Sequence, residues 1–249
     1  MRPRGGISRS LLTRSVSAWL VTTAALVISA GTAFAGPRIL QGRVESNGRG
    51  LPGYQVGLYA AVVGGAQPAW RLLGATATSN AGEFRLRYTR LTVPEGLPEP
   101  LLFVEATDGP SMLASAIGRD GRAPARVVVD ELTTVAIANA FAEFVHGAKI
   151  VGNTYGMINA VGMAANFANP GTGALGPVID SSPNRTETST LATFNSLANV
   201  VAGCVADREN CAGLFRAATP AGRQAGRDAA GNLARPHGAL ASGRRRRRQ

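Results

Sequence analysis

Histidine and cysteine are almost missing from this sequence, with two of each in 249 residues, and lysine occurs once, at Lys149. So few imidazoles and thiols leave little material for a metal centre or a nucleophile–base pair. None of the short motifs that carry a mechanism is present: no G-x-S-x-G, no H-E-x-x-H, no phosphate-binding G-x-x-x-x-G-K-[ST], and no G-x-G-x-x-G after a strand. Nor is there an apolar run near the roughly 20 residues that span a bilayer. Charged residues make up only 16 % of the chain against 45 % hydrophobic ones, which excludes a chain disordered throughout.

The net charge of +11 suggests a nucleic-acid partner until it is placed along the chain. Residues 1–35 hold four arginines and no acid, and residues 221–249 hold eight arginines and one aspartate. What remains, 36–220, balances at 14 basic and 14 acidic side chains. The folded body is therefore not a basic phosphate-binding surface, and no nucleic-acid partner is expected for it.

The first 35 residues read as a secretory signal peptide. Arg2, Arg4, Arg9 and Arg14 precede the apolar stretch Ala18–Ala30, and Ala33-Phe34-Ala35 places small residues where a signal peptidase reads them. No arginine pair precedes the apolar stretch and no cysteine follows the cleavage site, so the general export route without a lipid anchor is expected. The mature protein is then secreted or periplasmic, with no transmembrane segment after cleavage. In an oxidising compartment Cys204 and Cys211, which enclose six residues, are expected to form a disulfide, with free thiols as the alternative. A zinc site would need two more ligands, and His146 and His237 are remote in sequence.

From Arg38 to Val129 short β-type runs alternate with turn residues at sandwich spacing. The runs are Ile39–Glu45, Tyr54–Val63, Trp70–Thr78, Glu83–Tyr88, Leu101–Ala106 and Arg126–Val129. In one of them Phe84, Leu86 and Tyr88 alternate with Glu83, Arg85 and Arg87, as a half-buried strand requires. Turns fall at Ser46-Asn47-Gly48 and Asn80-Ala81-Gly82, and three prolines make 94–100 a loop.

Two segments here carry a resemblance. Gly42-Arg43-Val44 with the run Asn47 through Leu58 resembles the opening of carboxypeptidase-regulatory-like domains, and Thr76 through Leu86 is similar to their second signature. The match covers about 50 residues in the family's order. It implies a transthyretin-like β-sandwich of about seven strands. Members of the family are mostly structural, adhesive or carbohydrate-contacting modules. One enzymatic relative of that fold, the hydroxyisourate hydrolases, relies on histidines and a C-terminal Tyr-Arg-Gly-Ser. This chain has no histidine before His146 and lacks that tetrapeptide.

After Asp130, an expected helix cap, the period changes. Leu132, Val135, Ala136, Phe141, Phe144 and Val145 predict a helix ending near Gly147. Met157, Ile158, Val161, Ala165 and Ala168 predict a second over 154–169, stopped by Pro170-Gly171-Thr172-Gly173. Leu191, Phe194, Leu197, Ala198 and Val201 predict a third over 187–204, and a short fourth is expected over 210–218. This half resembles a helical region of exported bacterial proteins of unknown function. The residues that carry the likeness are Val129–Ala136, Ile158–Phe167, Phe194–Cys204 and Cys211–Pro220, with Asp130 departing from the pattern. That resemblance implies no activity.

The expected class is therefore α+β, a transthyretin-like β-sandwich followed by a bundle of three to four helices. The boundaries are 1–35 signal peptide, 37–129 sandwich, 130–219 helical domain and 220–249 Arg-rich tail. The tail has lost all periodicity and ends in five arginines; it reads as disordered, either a polyanion contact or a degenerate end in a GC-rich gene. Asn159, Asn166, Asn195 and Asn199 recur at helical spacing and read as surface hydrogen-bonding residues before a ligand site. Asp108-Gly109 and Asp120-Gly121 read as turns rather than calcium ligands. The candidate sugar contacts are Trp70 and Tyr54, although a sandwich also uses such aromatics in its core. The only candidate catalytic group is Asp130, Glu143 and His146 at the domain junction. The expected function is a non-enzymatic binding or scaffolding protein of the cell envelope, without cofactor or metal, whose partner is an envelope protein or a polysaccharide. A carbohydrate-binding module is the alternative, and a junction-site hydrolase a further one.

Overall fold

The computed structural model describes residues 36–64, 69–109, 111–146, 149–207 and 209–213. The expected leader, the expected tail and most of the expected fourth helix lie outside the described residues, although 209–213 are helical.

Alternating side chains build the first layer. The strand β1 (Arg38–Ser46) is central, pairing antiparallel with β5 (Glu83–Tyr88) on one side and parallel with β8 (Arg126–Val129) on the other. A short β2 (Arg49–Gly50) folds back on its end through Asn47 and Gly48, both at positive φ, which is the conformation the Asn-Gly pair favours. Gly42 lies mid-strand because a Cβ there would overlap the Phe84 ring and the Val127 carbonyl.

A second sheet runs in the order β4 (Ala69–Ala77), β3 (Gln55–Val62), β6 (Leu101–Thr107), β7 (Met112–Arg119), antiparallel throughout. The strand β7 has no counterpart among the sequence-expected runs. It is buried on both faces, so its text, MLASAIGR, lacks the polar alternation that marks a half-exposed strand. Side chains of both sheets meet in one buried cluster that includes Leu40, Val44, Val56, Leu58, Phe84, Leu86, Leu102, Val104, Leu113 and Val127.

The opposite face of the second sheet meets the helices. Residues Ala61, Val63, Leu101, Phe103, Ala114 and Ala116 share a second cluster with α1 (Glu131–Ala140), α2 (Thr154–Phe167) and α3 (Thr190–Ala206). The helix α1 lies on β7 with α2 beside it, and α3 packs on α1. Sheets paired mainly antiparallel, together with helices, therefore make a mixed α+β fold. No helix among the described residues is long and apolar enough to cross a membrane.

The first helix is shorter than its apolar spacing predicts. It ends at Ala140; a single 3-10 turn, Ala142–Phe144, and a two-strand hairpin, β9 (Val145–His146) with β10 (Lys149–Ile150), follow. The aromatic contacts account for the break. Phe141 is fully buried and meets Phe103 edge-on at 5.2 Å and Phe144 at 6.3 Å, so the chain turns to bring both rings into the cluster. The third helix buries Phe194, Ala198 and Ala202 but leaves Leu197 48 % exposed, so Leu197 is not part of its buried stripe.

Candidate functional site

An aromatic row crosses the helix-side face of the second sheet. Tyr59 on β3 stacks on Trp70 of β4 with ring centroids 5.1 Å apart and planes 11° off parallel. Trp70 meets Phe103 of β6 at 5.2 Å, and Phe103 continues to Phe141. Strand register produces the row, since Tyr59 faces Leu72 on one side and Phe103 on the other, while Trp70 faces Ala61. The Tyr59 ring leans over Gly57, where a Cβ would come within 2.7 Å of its Cε2. Only glycine leaves room for that ring position.

Next to this row stands Glu105, the charged residue of an otherwise apolar strand. Its cross-strand neighbours are Gly57 and Ala114, neither of which offers a side-chain donor. Burial pushes the Glu105 carboxyl up from 4.5 to about 7. The Tyr59 hydroxyl is also raised, first by burial and then by the Glu105 charge. Helices cover this face at β7, while Leu72 on β4 is 55 % exposed and Ala75 and Ala77 are open to solvent. The result is a strip of sheet with an acidic, aromatic floor beside the helical layer. Sequence reasoning passed over both Tyr59 and Glu105. The available signal was a glutamate directly after the run Leu101-Leu102-Phe103-Val104, where a buried charge is uncommon.

The two expected sugar contacts fare differently. Tyr54 is 5 % exposed, and its hydroxyl shares a 3.0 Å hydrogen bond with Ser111 Oγ. A ring enclosed in the cluster between the sheets has no face for a sugar, so Tyr54 is a core residue. Trp70 is half-buried, with one face taken by Tyr59 and Phe103 tilted against it, so it borders the strip rather than presenting a free platform.

The residues weighed for catalysis are not gathered into one site. Asp130 is buried at the start of α1 in a capping box: its Oδ1 accepts from Thr133 N at 2.8 Å, and Thr133 Oγ1 accepts from Asp130 N at 3.0 Å. Burial raises its carboxyl to about 6 against the lowering effect of those Thr133 bonds. Glu143 and His146 are exposed beyond the far end of this helix of ten residues, about 15 Å of helix rise from the cap. The four asparagines Asn159, Asn166, Asn195 and Asn199 all lie on exposed positions of α2 and α3.

Three further polar groups have structural partners. Asp120 is 1 % exposed and accepts from Tyr88 Oη at 3.2 Å and Arg90 Nε at 3.0 Å, while Arg90 also reaches Glu99 at 2.9 Å. Asp108 accepts from the Ser111 N–H and hydroxyl, closing the turn between β6 and β7. Glu131 Oε1 accepts from Asn47 N at 2.8 Å, joining α1 to the first hairpin. A shallow cavity of about 440 Å³ beside that hairpin is lined by Ser46, Asn47, Arg49, Leu51, Val205 and Ala206. No cluster of three or more metal-ligating side chains occurs among the described residues.

Cys204 at the end of α3 is buried and Cys211 half-buried, and both are thiols here. They are neighbours: the Cys211 thiol is pushed up to about 12 by burial first, then by its hydrogen bond to Cys204 and by the charges of Asp108 and Asp207.

No family model matches the chain, and no curated protein matches it. Among solved structures it is similar over part of its length to a 9R-lipoxygenase from Cyanothece PCC8801. That match has 13 % identity and a TM-score of 0.25, covering 37 % of this chain and 15 % of the lipoxygenase. An alternative pilotin from the type II secretion system of Vibrio cholerae matches at 17 % identity and a TM-score of 0.28, over 38 % of this chain and 94 % of the pilotin. Catechol 1,2-dioxygenase from Acinetobacter sp. ADP1, inhibited by bound mercury, matches at 15 % identity and 0.25, over 40 % of this chain and 45 % of the enzyme. Likenesses this slight carry no argument about fold or activity.

Proposed function

We propose that this is an exported, non-enzymatic binding or scaffolding protein of the bacterial cell envelope. In this reading residues 1–35 are removed as a signal peptide, 37–129 form a transthyretin-like β-sandwich of the carboxypeptidase-regulatory-like kind, and 130–219 form a small helical bundle on it. Residues 220–249 are an Arg-rich tail outside both. The partner is an envelope protein or polysaccharide, met by the folded body without nucleic acid, and Cys204 and Cys211 join as a disulfide after export. The observation that carries the binding role is the strip at Tyr59, Trp70 and Glu105, where a half-buried carboxyl lies beside stacked rings and the edge strand is open to solvent at Leu72, Ala75 and Ala77. The groups weighed for catalysis have other places, with Asp130 holding the start of α1.

Fractionating bacteria that express the chain with a C-terminal tag tests the placement. The expected product lies outside the cytoplasm and begins near Gly36; an intact leader on a cytoplasmic protein would overturn export. The second reading, a carbohydrate-binding module, is favoured by Trp70 at the border of the strip. A glycan array read with and without residues 221–249 separates the two. Binding that survives loss of the tail and disappears in Trp70→Ala establishes the sugar reading. Binding lost only with the tail is polyanion attraction, which weakens with salt.

A further inference from the structure

We propose that the Tyr59–Glu105 strip binds an organic cation, a primary ammonium or guanidinium group, through the Glu105 carboxylate and the Tyr59 hydroxyl oxygen. The proposal rests on the binding-module reading and names its ligand.

The case begins with what the fold withholds from Glu105. No donor or cation among the described residues pairs with its carboxylate, and its neighbours across the sheet are Gly57 and Ala114. Arg71 on β4 and Arg119 at the end of β7 are the cations of the neighbouring strands, and neither makes an ion pair with Glu105. Strand β3 and helices α1, α2 and α3 contain neither lysine nor arginine, and the only charged residue in the three helices is Glu131. Other carboxylates have partners of one kind or another: Asp120 and Glu99 pair with Arg90 and Glu45 with Arg43, while Asp130 and one oxygen of Glu131 accept hydrogen bonds. A half-buried carboxylate left without a partner is costly, and a ligand that brings positive charge recovers that cost.

Tyr59 completes the acceptor set. Its ring is fixed between Gly57 and Trp70, and its hydroxyl makes no hydrogen bond to a described residue, so two oxygens await N–H donors. A neutral sugar could donate hydroxyls here but would leave the negative charge uncompensated, which is why the charge selects a cation. Access is provided by the small residues Ala75 and Ala77 on the edge strand.

The sequence contains its own reporter, since its only tryptophans are Trp19 and Trp70. In the full chain carrying Trp19→Phe, Trp70 fluorescence is titrated with butylammonium, a trilysine peptide or methyl glucoside at pH 8. The expected result is a saturable change with butylammonium, weakened about tenfold or more in Glu105→Gln and less in Tyr59→Phe, with both variants unfolding cooperatively. A response to trilysine that is stronger than to butylammonium identifies the source as a basic polypeptide; the reverse identifies a small amine. No saturable response to either cation overturns the proposal. So does a response that Glu105→Gln leaves intact, or an equal Glu105-dependent response to the glucoside. Failure of export would leave amine binding as it is, whereas silence toward amines in an exported protein removes only the ligand assignment.

Discussion

Glu105 is a residue that folding has made less comfortable, and its pH dependence follows from that. In the unfolded chain it titrates near 4.5, and in the folded protein burial moves it to about 7. Below pH 4.5 both states hold the proton. Between 4.5 and about 7 the folded state holds more of it, so stability falls as pH rises, and above that window the loss is complete. A shift of this size corresponds to about 3 kcal/mol. Asp130, raised from 3.8 to about 6, adds a slope of the same sign over a lower window. Urea unfolding of the wild type should therefore give a lower free energy at pH 8 than at pH 5. Glu105→Gln should lose most of that difference and exceed the wild type at pH 8. An unaltered slope in the variant would show that the carboxyl is better solvated than its surroundings indicate.

At the scale of elements, a single contact decides how the helices join the sheet. Phe141 is fully buried and links Phe103 on β6 to Phe144 beyond α1. Phe141→Ala should cost about 3–5 kcal/mol in urea unfolding, because the cavity opens where sheet and helix meet. Leu197→Ala, at a residue the apolar spacing of α3 places inside but the fold leaves 48 % exposed, should lie within about 0.5 kcal/mol of wild type. Equal losses at the two sites would mean that α3 presents a different face. These two residues also mark how far the sequence could be read. Strands with one wet face, such as β5, announce themselves through alternation, and the stop after α2 is written in Pro170 and Gly171. The strand β7 is hidden because both its faces are covered, and the end of α1 because tertiary ring packing, not a glycine or proline, breaks the helix. For the site, Trp70 was legible as an aromatic of interest. Its stacking partner Tyr59 was not, because only strand register brings residues 59, 70 and 105 together.

For the whole molecule the question is what the two thiols become if the chain is exported as proposed. Charge is balanced over 36–220, so no net repulsion opposes a compact body there. Cys204 and Cys211 lie together at the end of α3, close enough for one thiol to hydrogen-bond the other. Exchange with a disulfide-bearing partner would join the two sulfurs, break the partner's S–S bond and pass two electrons and two protons to it, leaving the partner a dithiol. The enclosed segment is only six residues long, so restricting the unfolded chain gives about 2.5 kcal/mol at most. The raised Cys211 thiol has little thiolate at neutral pH, so spontaneous exchange should be slow and should quicken as pH rises. Protein recovered from outside the cytoplasm without reductant should thus be lighter by two hydrogens in a mass spectrum and resist alkylation. Added dithiothreitol should lower its Tm by a few degrees, and Cys204→Ser should abolish that response. Two freely alkylatable thiols in the exported protein would overturn the disulfide.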